Sequence, residues 1–180
     1  MNILLIILAI IIIPILLLLV IGLFTKRSYS VQRQILIDRS VDVVYNYVKY
    51  LRNQDNYSKW VMRDPGMKKE FKGTDGTPGF VYAWDSQDKN AGKGEQEIKS
   101  LQQDKSVEAE LRFERPFKAV SDTTMTTSAT ADGKTQVRWI FASTMKYPMN
   151  VMLLMMNFDK VLGGDMDSSL ARLKGILEGR

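Results

Sequence analysis

The sequence predicts an α+β domain in which a curved antiparallel sheet of seven strands packs against one long C-terminal helix, preceded by a single membrane-spanning helix. Three observations lead to this prediction. No charged residue precedes Lys26, the middle of the chain alternates apolar and polar residues, and the C-terminal part places apolar residues at helical spacing. The length of 180 residues suits one domain with an attachment.

The N-terminal segment has the length of a membrane span. Residues 3–24 are 22 residues that are apolar except for Pro14 and Gly22, and a helix of that length covers roughly 33 Å, close to the thickness of a bilayer's hydrocarbon core. The alternative is a cleaved signal peptide, but its apolar core is usually about 7–15 residues long and follows basic residues. The segment Gly22-Leu23-Phe24-Thr25 is also a poor cleavage site. The sequence therefore predicts an uncleaved transmembrane helix over 3–24 and a linker over 25–28.

Basic residues follow this segment directly. Lys26 and Arg27 lie at its C-terminal end, so the positive-inside rule predicts a cytoplasmic body. Together with Arg33 and a net charge of +5, they suit a surface of anionic lipids. No nucleic acid partner is expected, because such proteins carry a dense basic stripe, whereas Lys68-Lys69 is the only other basic pair in the sequence.

The domain predicted over residues 29–178 begins with a strand and a helix. Residues 29–38 read as a strand with four side chains on one face, Val31, Arg33, Ile35 and Ile37. Ser40 is a good N-cap for a following helix with apolar residues at helical spacing. Residues 51–60 are consistent with a second short helix or a structured loop.

Six further strands are predicted from alternating apolar residues and from turn residues between them. They cover 67–73, 80–84, 94–101, 107–114, 119–129 and 137–145. Asp132-Gly133 is a strong hairpin signal before the last of them. Strict alternation is typical of an antiparallel sheet with one buried face and one wet face.

A long amphipathic helix is predicted over residues 148–177. Pro148 suits the first turn of a helix, and apolar residues then recur at steps of three and four. Gly163-Gly164 interrupts the pattern, which indicates either a kink or a close approach to the sheet. No other predicted element is large enough to cover the apolar face of the sheet.

Composition excludes much chemistry. The chain contains neither histidine nor cysteine, so it has no imidazole base, no Ser-His or Cys-His nucleophile, no disulfide and no metal site built from these ligands. The carboxylate pairs on the strands, Glu95 with Glu97 and Glu108 with Glu110, are typical of a solvated sheet face, as are Arg112 and Arg138. We therefore predict no catalytic residue, no metal and no cofactor.

Three segments together resemble the START-like helix-grip superfamily, also called SRPBCC, and its polyketide cyclase/dehydrase and lipid transport branch. Ile35–Val48, reaching Trp60, is similar to that family's opening strand, helix and downstream tryptophan. Asp132–Trp139 is similar to its penultimate hairpin and last strand, and 148–177 to its gripped helix. The resemblance covers residues 29–178 and implies a hydrophobic cavity between sheet and helix that holds lipids, sterols, polyketides or other apolar ligands.

Aromatic residues and methionines are the candidate cavity lining. Half of the ten methionines lie between Met145 and Met156, and methionine adapts to varied apolar ligands. Plain core packing is an alternative for both groups, and contact with the bilayer is a further one for the methionines, because residues 147–156 are apolar almost all round. The predicted lining residues are Tyr82, Trp84, Phe113, Met125, Trp139, Phe141, Met152, Met155, Met156 and Phe158.

Three functions fit these predictions. The first is a membrane-tethered module that binds a hydrophobic small molecule or lipid in the cavity. The second is an enzyme of the cyclase/dehydratase kind, which the resemblance alone suggests and which would use Asp, Glu, Tyr, Arg or Lys as acid and base. The third is a protein-interaction module that uses the fold without a ligand.

Overall fold

The computed structural model describes residues 3–179. Helix α1, Ile3–Phe24, contains Pro14 and is followed within four residues by the first strand. Within the described chain, one helix is long and apolar enough to cross a membrane, and its residues Leu5–Phe24 are almost entirely exposed. Because α1 buries so little surface against the rest of the protein, its apolar side chains have no protein partner along most of its length.

The body is built on one antiparallel sheet of seven strands in the order β1-β7-β6-β5-β4-β3-β2, which confirms the predicted sheet. The strands are β1 Ser28–Ile37, β2 Lys68–Lys72, β3 Val81–Asp85, β4 Lys93–Gln102, β5 Ser106–Arg115, β6 Ala119–Ala129 and β7 Thr135–Thr144. The last strand pairs with the first, Ser28 opposite Thr144 and Ile37 opposite Thr135. We call the end of the sheet at Ser28 the anchor end, after the membrane anchor that the sequence predicts in α1, and the end at Ile37 the far end.

Short helices connect β1 to β2. They are α2 Val41–Val48, a 3₁₀ turn at Leu51–Asn53, α3 Gln54–Tyr57 and α4 Lys59–Met62. Ser40 has the extended backbone of an N-cap, but its side chain makes no capping hydrogen bond. The predicted short helix or structured loop over 51–60 is therefore a series of single helical turns.

The predicted continuous helix over 148–177 is wrong in its first part. A 3₁₀ turn at Met149–Val151 and the single turn α5, Met152–Met155, come first. Met156 is extended, and Asn157 then caps helix α6, Phe158–Glu178, by accepting a hydrogen bond from the backbone N–H of Lys160 at 2.9 Å. An N-cap asparagine ends any helix that would continue through it, because its own backbone is not helical.

Helix α6 runs along β1 from the anchor end to the far end. The rings of Tyr29 and Phe158 pack in a tilted arrangement, 4.8 Å between ring centres, near the start of both elements. Near their ends, the Lys174 ammonium donates to the Leu36 carbonyl at 2.6 Å. Between these points, Gly163 faces the Arg33 guanidinium. Gly163 thus marks a close approach to the sheet inside an unbroken helix, whereas a Cβ at Gly164 would meet open space.

The far end of the domain is solidly packed. Side chains that are almost fully buried fill the space between sheet, α2 and α6, namely Ile37, Val44, Val137, Leu170 and Leu173. Ile37 and Val137 lie on the far-end halves of β1 and β7, and the two leucines lie on the second half of α6. The interior of the anchor end is different.

Candidate functional site

A cavity of about 210 Å³ lies between the sheet, the short helices and α6. Its walls come from five strands, from the connection between β1 and β2, from the turn after β3 and from α6. The lining residues are Gln54, Ser58, Trp60, Val61, Met67, Tyr82, Trp84, Asn90, Ala91, Gln96, Leu111, Phe113, Thr123, Trp139, Phe141, Leu162 and Met166. Most of them are apolar, and six are aromatic.

Strand register places this cavity at the anchor end. Phe141 lies opposite Val31 near the start of β1, and Phe113 lies opposite Ala119 at the start of β6. On α6, the lining residues Leu162 and Met166 belong to the first half of the helix. The hollow part of the domain is therefore the part next to α1, and the packed part is the one distant from it.

Two pairs of aromatic rings form walls that are held in place before any ligand enters. Trp60 meets Trp139 edge to face at 5.8 Å between ring centres, and Trp84 meets Phe113 in the same way at 5.9 Å. Such edge-to-face pairs are favoured by the ring quadrupoles. The rings therefore present fixed apolar surfaces to the cavity.

The indole N–H groups of the two sheet tryptophans already donate hydrogen bonds within the protein. Trp139 Nε1 donates to Thr123 Oγ1 at 2.8 Å, and Trp84 Nε1 donates to the Ala91 carbonyl at 2.9 Å. Gly94 makes room for the second ring, since a Cβ at that position would lie 2.9 Å from Trp84 Cζ2. These two rings thus offer their faces to a ligand and not their N–H donors.

Ion pairs to α6 fix the short helix that carries Trp60. Asp165 on α6 is buried and pairs with Lys59 and Arg63, each at 2.8 Å. The backbone N–H of Lys59 donates to Ser169 Oγ at 2.9 Å. A buried carboxylate with two cationic partners satisfies the requirement that buried charges be paired. The wall formed by α4 is therefore tied to the helix opposite the sheet.

Three buried or half-buried polar side chains in the lining have no partner in the described part of the chain, and the exposed side chain of Asn90 has none there either. The three are Gln54, Ser58 and Gln96, none of which makes a side-chain hydrogen bond there. Gln96 is only 7% exposed. A carboxamide carries two donors and an acceptor with two lone pairs, so it can bond to any polar group that enters the cavity. These side chains are the groups with which a ligand or ordered water would form hydrogen bonds.

Among the described residues that line the cavity, Tyr82 is the one whose side chain can ionise. Its hydroxyl donates to Asp55 Oδ1 at 2.6 Å, and Asp55 pairs with Lys69 at 2.9 Å. Burial, and next the hydrogen bond to Asp55, raise the pKa of Tyr82 above its ordinary value. The hydroxyl therefore stays protonated at neutral pH and cannot serve as a base there.

The structure divides the predicted lining residues among three places. Five of them surround the cavity: Tyr82, Trp84, Phe113, Trp139 and Phe141. Met125 borders a small adjoining void of about 20 Å³. Met155, Met156 and Phe158 border a separate open groove between the end of α1 and the start of β1. Met152 borders none of these spaces. Ligand binding by any of them remains a prediction.

Sequence reasoning missed the polar part of the lining. Glu95 and Glu97 share the wet face of β4, so alternation alone puts Gln96 on the inner face. That was the available signal for Gln96. Gln54 carries no comparable signal, since it lies on a single helical turn. On the wet face, Arg112 pairs with Glu95 and Glu97 at 2.6 and 2.7 Å and also with Glu110.

A seven-stranded antiparallel sheet that grips a C-terminal helix around an apolar cavity defines the helix-grip class of ligand-binding folds. Residues 28–178 match the family described as polyketide cyclase / dehydrase and lipid transport. The chain belongs to this family. No curated protein matches it at a significant level.

Solved structures share the fold at low sequence identity. Truncated norcoclaurine synthase from Thalictrum flavum has a TM-score of 0.64 and 10% identity, over 85% of this chain and 95% of that one. Its complex with dopamine and hydroxybenzaldehyde has a TM-score of 0.60 and 12% identity, over 89% and 93%. A protein of unknown function from Staphylococcus aureus has a TM-score of 0.62 and 15% identity, over 86% and 96%.

Proposed function

We propose that this protein is a membrane-tethered binding protein for a small, neutral, ring-containing molecule with one or two hydrogen-bonding groups. The observation that carries the proposal is the cavity at the anchor end, which has paired aromatic rings in its walls and three buried or half-buried polar side chains, Gln54, Ser58 and Gln96, without protein partners among the described residues. The mechanism is sequestration, in which apolar burial contributes roughly 25 cal/mol per Å² removed from water.

The cavity's volume sets the size of the ligand. An engineered cavity of about 150 Å³ in another protein holds benzene, so about 210 Å³ suits a molecule of one or two rings. A phospholipid with two acyl chains is a poor fit, because each chain spans half of a hydrocarbon core about 30 Å thick. A compact apolar compound that partitions into membranes fits this volume better.

The lining selects against charge. No Asp, Glu, Lys or Arg belongs to the cavity lining that the described residues form. An ion placed among aromatic and aliphatic groups without a partner loses much of its hydration free energy. A hydroxyl, carbonyl or amide would instead find Gln54, Ser58 and Gln96, whose groups can donate and accept.

The tether is proposed from α1 and its flanks. Its 22 residues match the thickness of a hydrocarbon core, and Lys26 with Arg27 favour a cytoplasmic body. A tether that keeps the cavity beside the bilayer raises the effective concentration of any ligand dissolved there.

The enzyme hypothesis has less support. An acid or base would have to face the cavity, and Tyr82 is already bonded to Asp55. Norcoclaurine synthase shows that a similar fold holds dopamine and hydroxybenzaldehyde in that protein, which supports ring-containing ligands and not a reaction here. A ligand-free interaction module would have little reason to keep an unfilled apolar cavity, since cavities lower stability.

A matched set of compounds tests the proposal. The full chain in nanodiscs is titrated with 2-naphthol, naphthalene and 2-naphthoate, and binding is followed by calorimetry and by the fluorescence of Trp60, Trp84 and Trp139, all of which line the cavity. We expect 2-naphthol to bind at least about tenfold more tightly than 2-naphthoate, a difference of roughly 1.4 kcal/mol. Equal binding of the anion, or no binding of any compound, contradicts the proposal.

Two variants serve as controls. Gln96→Leu should reduce the preference for 2-naphthol over naphthalene while leaving naphthalene binding intact, because it removes one of three polar partners in the lining. Leu111→Trp should abolish the binding of 2-naphthol and of naphthalene. Leu111 lines the cavity, and the larger indole ring would occupy the cavity's volume. Circular dichroism establishes that each variant is folded.

A further inference from the structure

The segment that precedes α6 is fastened to the last turn of α1. Asn150 is fully buried, and its side-chain amide donates to the carbonyls of Gly22 and Thr25 at 2.7 and 3.1 Å. The last carbonyls of a helix have no partner within it, so Asn150 satisfies one of the open groups at the end of α1. Gly22 allows the contact, since a Cβ there would lie 2.8 Å from Val151 Cγ2.

This contact fixes the depth of the segment relative to the anchor. A helix of 22 residues is roughly 33 Å long, slightly more than the ~30 Å hydrocarbon core. When α1 spans the bilayer, its last turn therefore lies at the boundary between acyl chains and headgroups. A segment bonded to Gly22 and Thr25 lies at that boundary as well.

The same segment exposes large apolar side chains. Met155 is 75% exposed, Leu154 61% and Met149 43%, and Phe24 at the end of α1 is 88% exposed. The break at Met156–Asn157 separates α5 from α6, so these side chains are not directed into the core. Contiguous exposed apolar groups of this kind mark contact surfaces.

Among the described residues around the segment, the charges without an ion-pair partner have one sign, since Asp159 at the groove is paired with Arg33 at 2.9 Å. Lys26, Arg27 and Lys146 are exposed beside it, and residues 21–31 and 145–158 contain no Asp or Glu. Each Lys or Arg near an anionic membrane surface contributes about 1 kcal/mol to binding. An apolar turn beside three exposed cations, with the carboxylate of Asp159 already paired to Arg33, suits the interface of an anionic bilayer and not an acid-rich protein surface.

We infer that residues 147–156 form a second membrane-contact element, in which α5 inserts at the acyl–headgroup boundary of an anionic bilayer beside α1. The inference rests on the proposed membrane anchor and deepens it, because two contacts hold the anchor end, and with it the cavity, against the bilayer. Short elements that place apolar side chains at this depth and cations in the headgroups are the general form of interfacial binding.

Depth-dependent quenching tests the inference. The chain lacks cysteine, so Met155→Cys, Leu17→Cys and Ser128→Cys each give one site for the dye NBD. Ser128 is an exposed residue near the far end of β6. The full-length variants are reconstituted in vesicles of phosphatidylcholine and phosphatidylglycerol that carry lipids spin-labelled either near the headgroup or near the chain end, with iodide as the aqueous quencher.

We expect the dye at Met155→Cys to be quenched by spin labels near the headgroup and to lose most of the iodide quenching seen at Ser128→Cys. The dye at Leu17→Cys should respond to labels near the chain end. If Met155→Cys is as open to iodide as Ser128→Cys while Leu17→Cys is quenched by lipid, the inference is overturned and the anchor stands. Lack of lipid quenching at all three sites overturns both. Shielding of Met155→Cys from both quenchers means that protein covers it and also overturns the inference.

Discussion

The hydroxyl of Tyr57 is buried in the core cluster without a hydrogen-bond partner within the described chain. Burial raises the pKa of this phenol above its ordinary value. Because the folded-state pKa is raised, the free energy of unfolding is independent of this group below its unfolded pKa of about 10 and falls as pH rises beyond that value. Tyr57 should therefore weaken the fold in alkaline solution, since unfolding lets it ionise.

We expect Tyr57→Phe to leave stability unchanged or to raise it by about 1 kcal/mol at neutral pH, because an unsatisfied polar group is removed. The variant should also lose stability less steeply than the parent above about pH 10. Urea unfolding of the full chain in mild detergent, followed by circular dichroism, measures both effects.

Tyr82→Phe is the matched control. It removes a hydroxyl that donates to Asp55, so we expect a loss of about 1 kcal/mol. If Tyr57→Phe is as destabilising as Tyr82→Phe, the Tyr57 hydroxyl has a partner that the geometry does not show, and the prediction fails.

At the level of single residues, the sequence predicted apolar rings better than polar groups. The alternation of side chains along β7 places Trp139 and Phe141 on the inner face of the sheet. That alternation is the same whether the inner face borders a cavity or a filled core. Met155 borders the open groove and not the cavity, and composition could not separate the two places, because an exposed methionine and a buried one look the same in a sequence.

On the scale of the element, α6 shows how two adjacent glycines differ. A Cβ at Gly163 would lie 1.9 Å from the Arg33 guanidinium, whereas nothing lies within 4 Å of a Cβ at Gly164. The guanidinium cannot easily move, because it bonds to Asp159 and Asp167 at 2.9 and 3.0 Å and donates to the Asp159 carbonyl at 2.8 Å. This network also lowers the pKa of the Asp159 carboxyl.

We expect Gly163→Ala to destabilise the domain by about 1–3 kcal/mol, as overpacking does. Gly164→Ala should stabilise it by up to about 1 kcal/mol, the difference in helix propensity between glycine and alanine. Chemical denaturation of the two variants beside the parent chain measures the difference.

A double variant identifies the cause. If the methyl group acts through Arg33, adding Gly163→Ala to an Arg33→Ala background should cost much less than it does alone, since contacting residues are not additive. Full additivity of the two changes would show that Gly163 is required for another reason.

The broken C-terminal helix is the element that the sequence described least well. Its apolar pattern continues through Tyr147–Met156, so periodicity alone extends the helix to Pro148. The actual partner of that segment is the end of α1, which lies more than a hundred residues away in the chain. Asn157 was the local sign of a new helix start, because asparagine is a preferred N-cap.

For the whole molecule, Asn150 links the body to the end of α1. We expect Asn150→Ala to leave the Gly22 and Thr25 carbonyls without this donor at a cost of about 1–3 kcal/mol. The backbone amides from Thr25 to Arg27 and at Met145, whose N–H donates to the Arg27 carbonyl at 2.7 Å, should exchange with deuterium faster in nanodiscs. Amides of β5 and β6 should be unaffected.

Asn46→Ala provides the comparison, since Asn46 is exposed on α2 and makes no side-chain hydrogen bond within the described residues. In Asn46→Ala, the backbone amides from Thr25 to Arg27 and at Met145 should exchange with deuterium at the same rate as in the parent chain. Equal exchange in Asn46→Ala and Asn150→Ala would mean that other contacts hold the anchor to the body.

The sequence by itself determined the class of the fold, the number of strands and the apolar character of α1, because the spacing of side chains along a strand or helix is a local property of the backbone. Only the tertiary structure decided that the far end is packed while the anchor end is hollow, and that Gln96 faces the hollow without a partner. A cavity is the part of the volume enclosed by distant elements that their side chains leave empty. It therefore depends on strand register and curvature, which no local stretch of sequence contains.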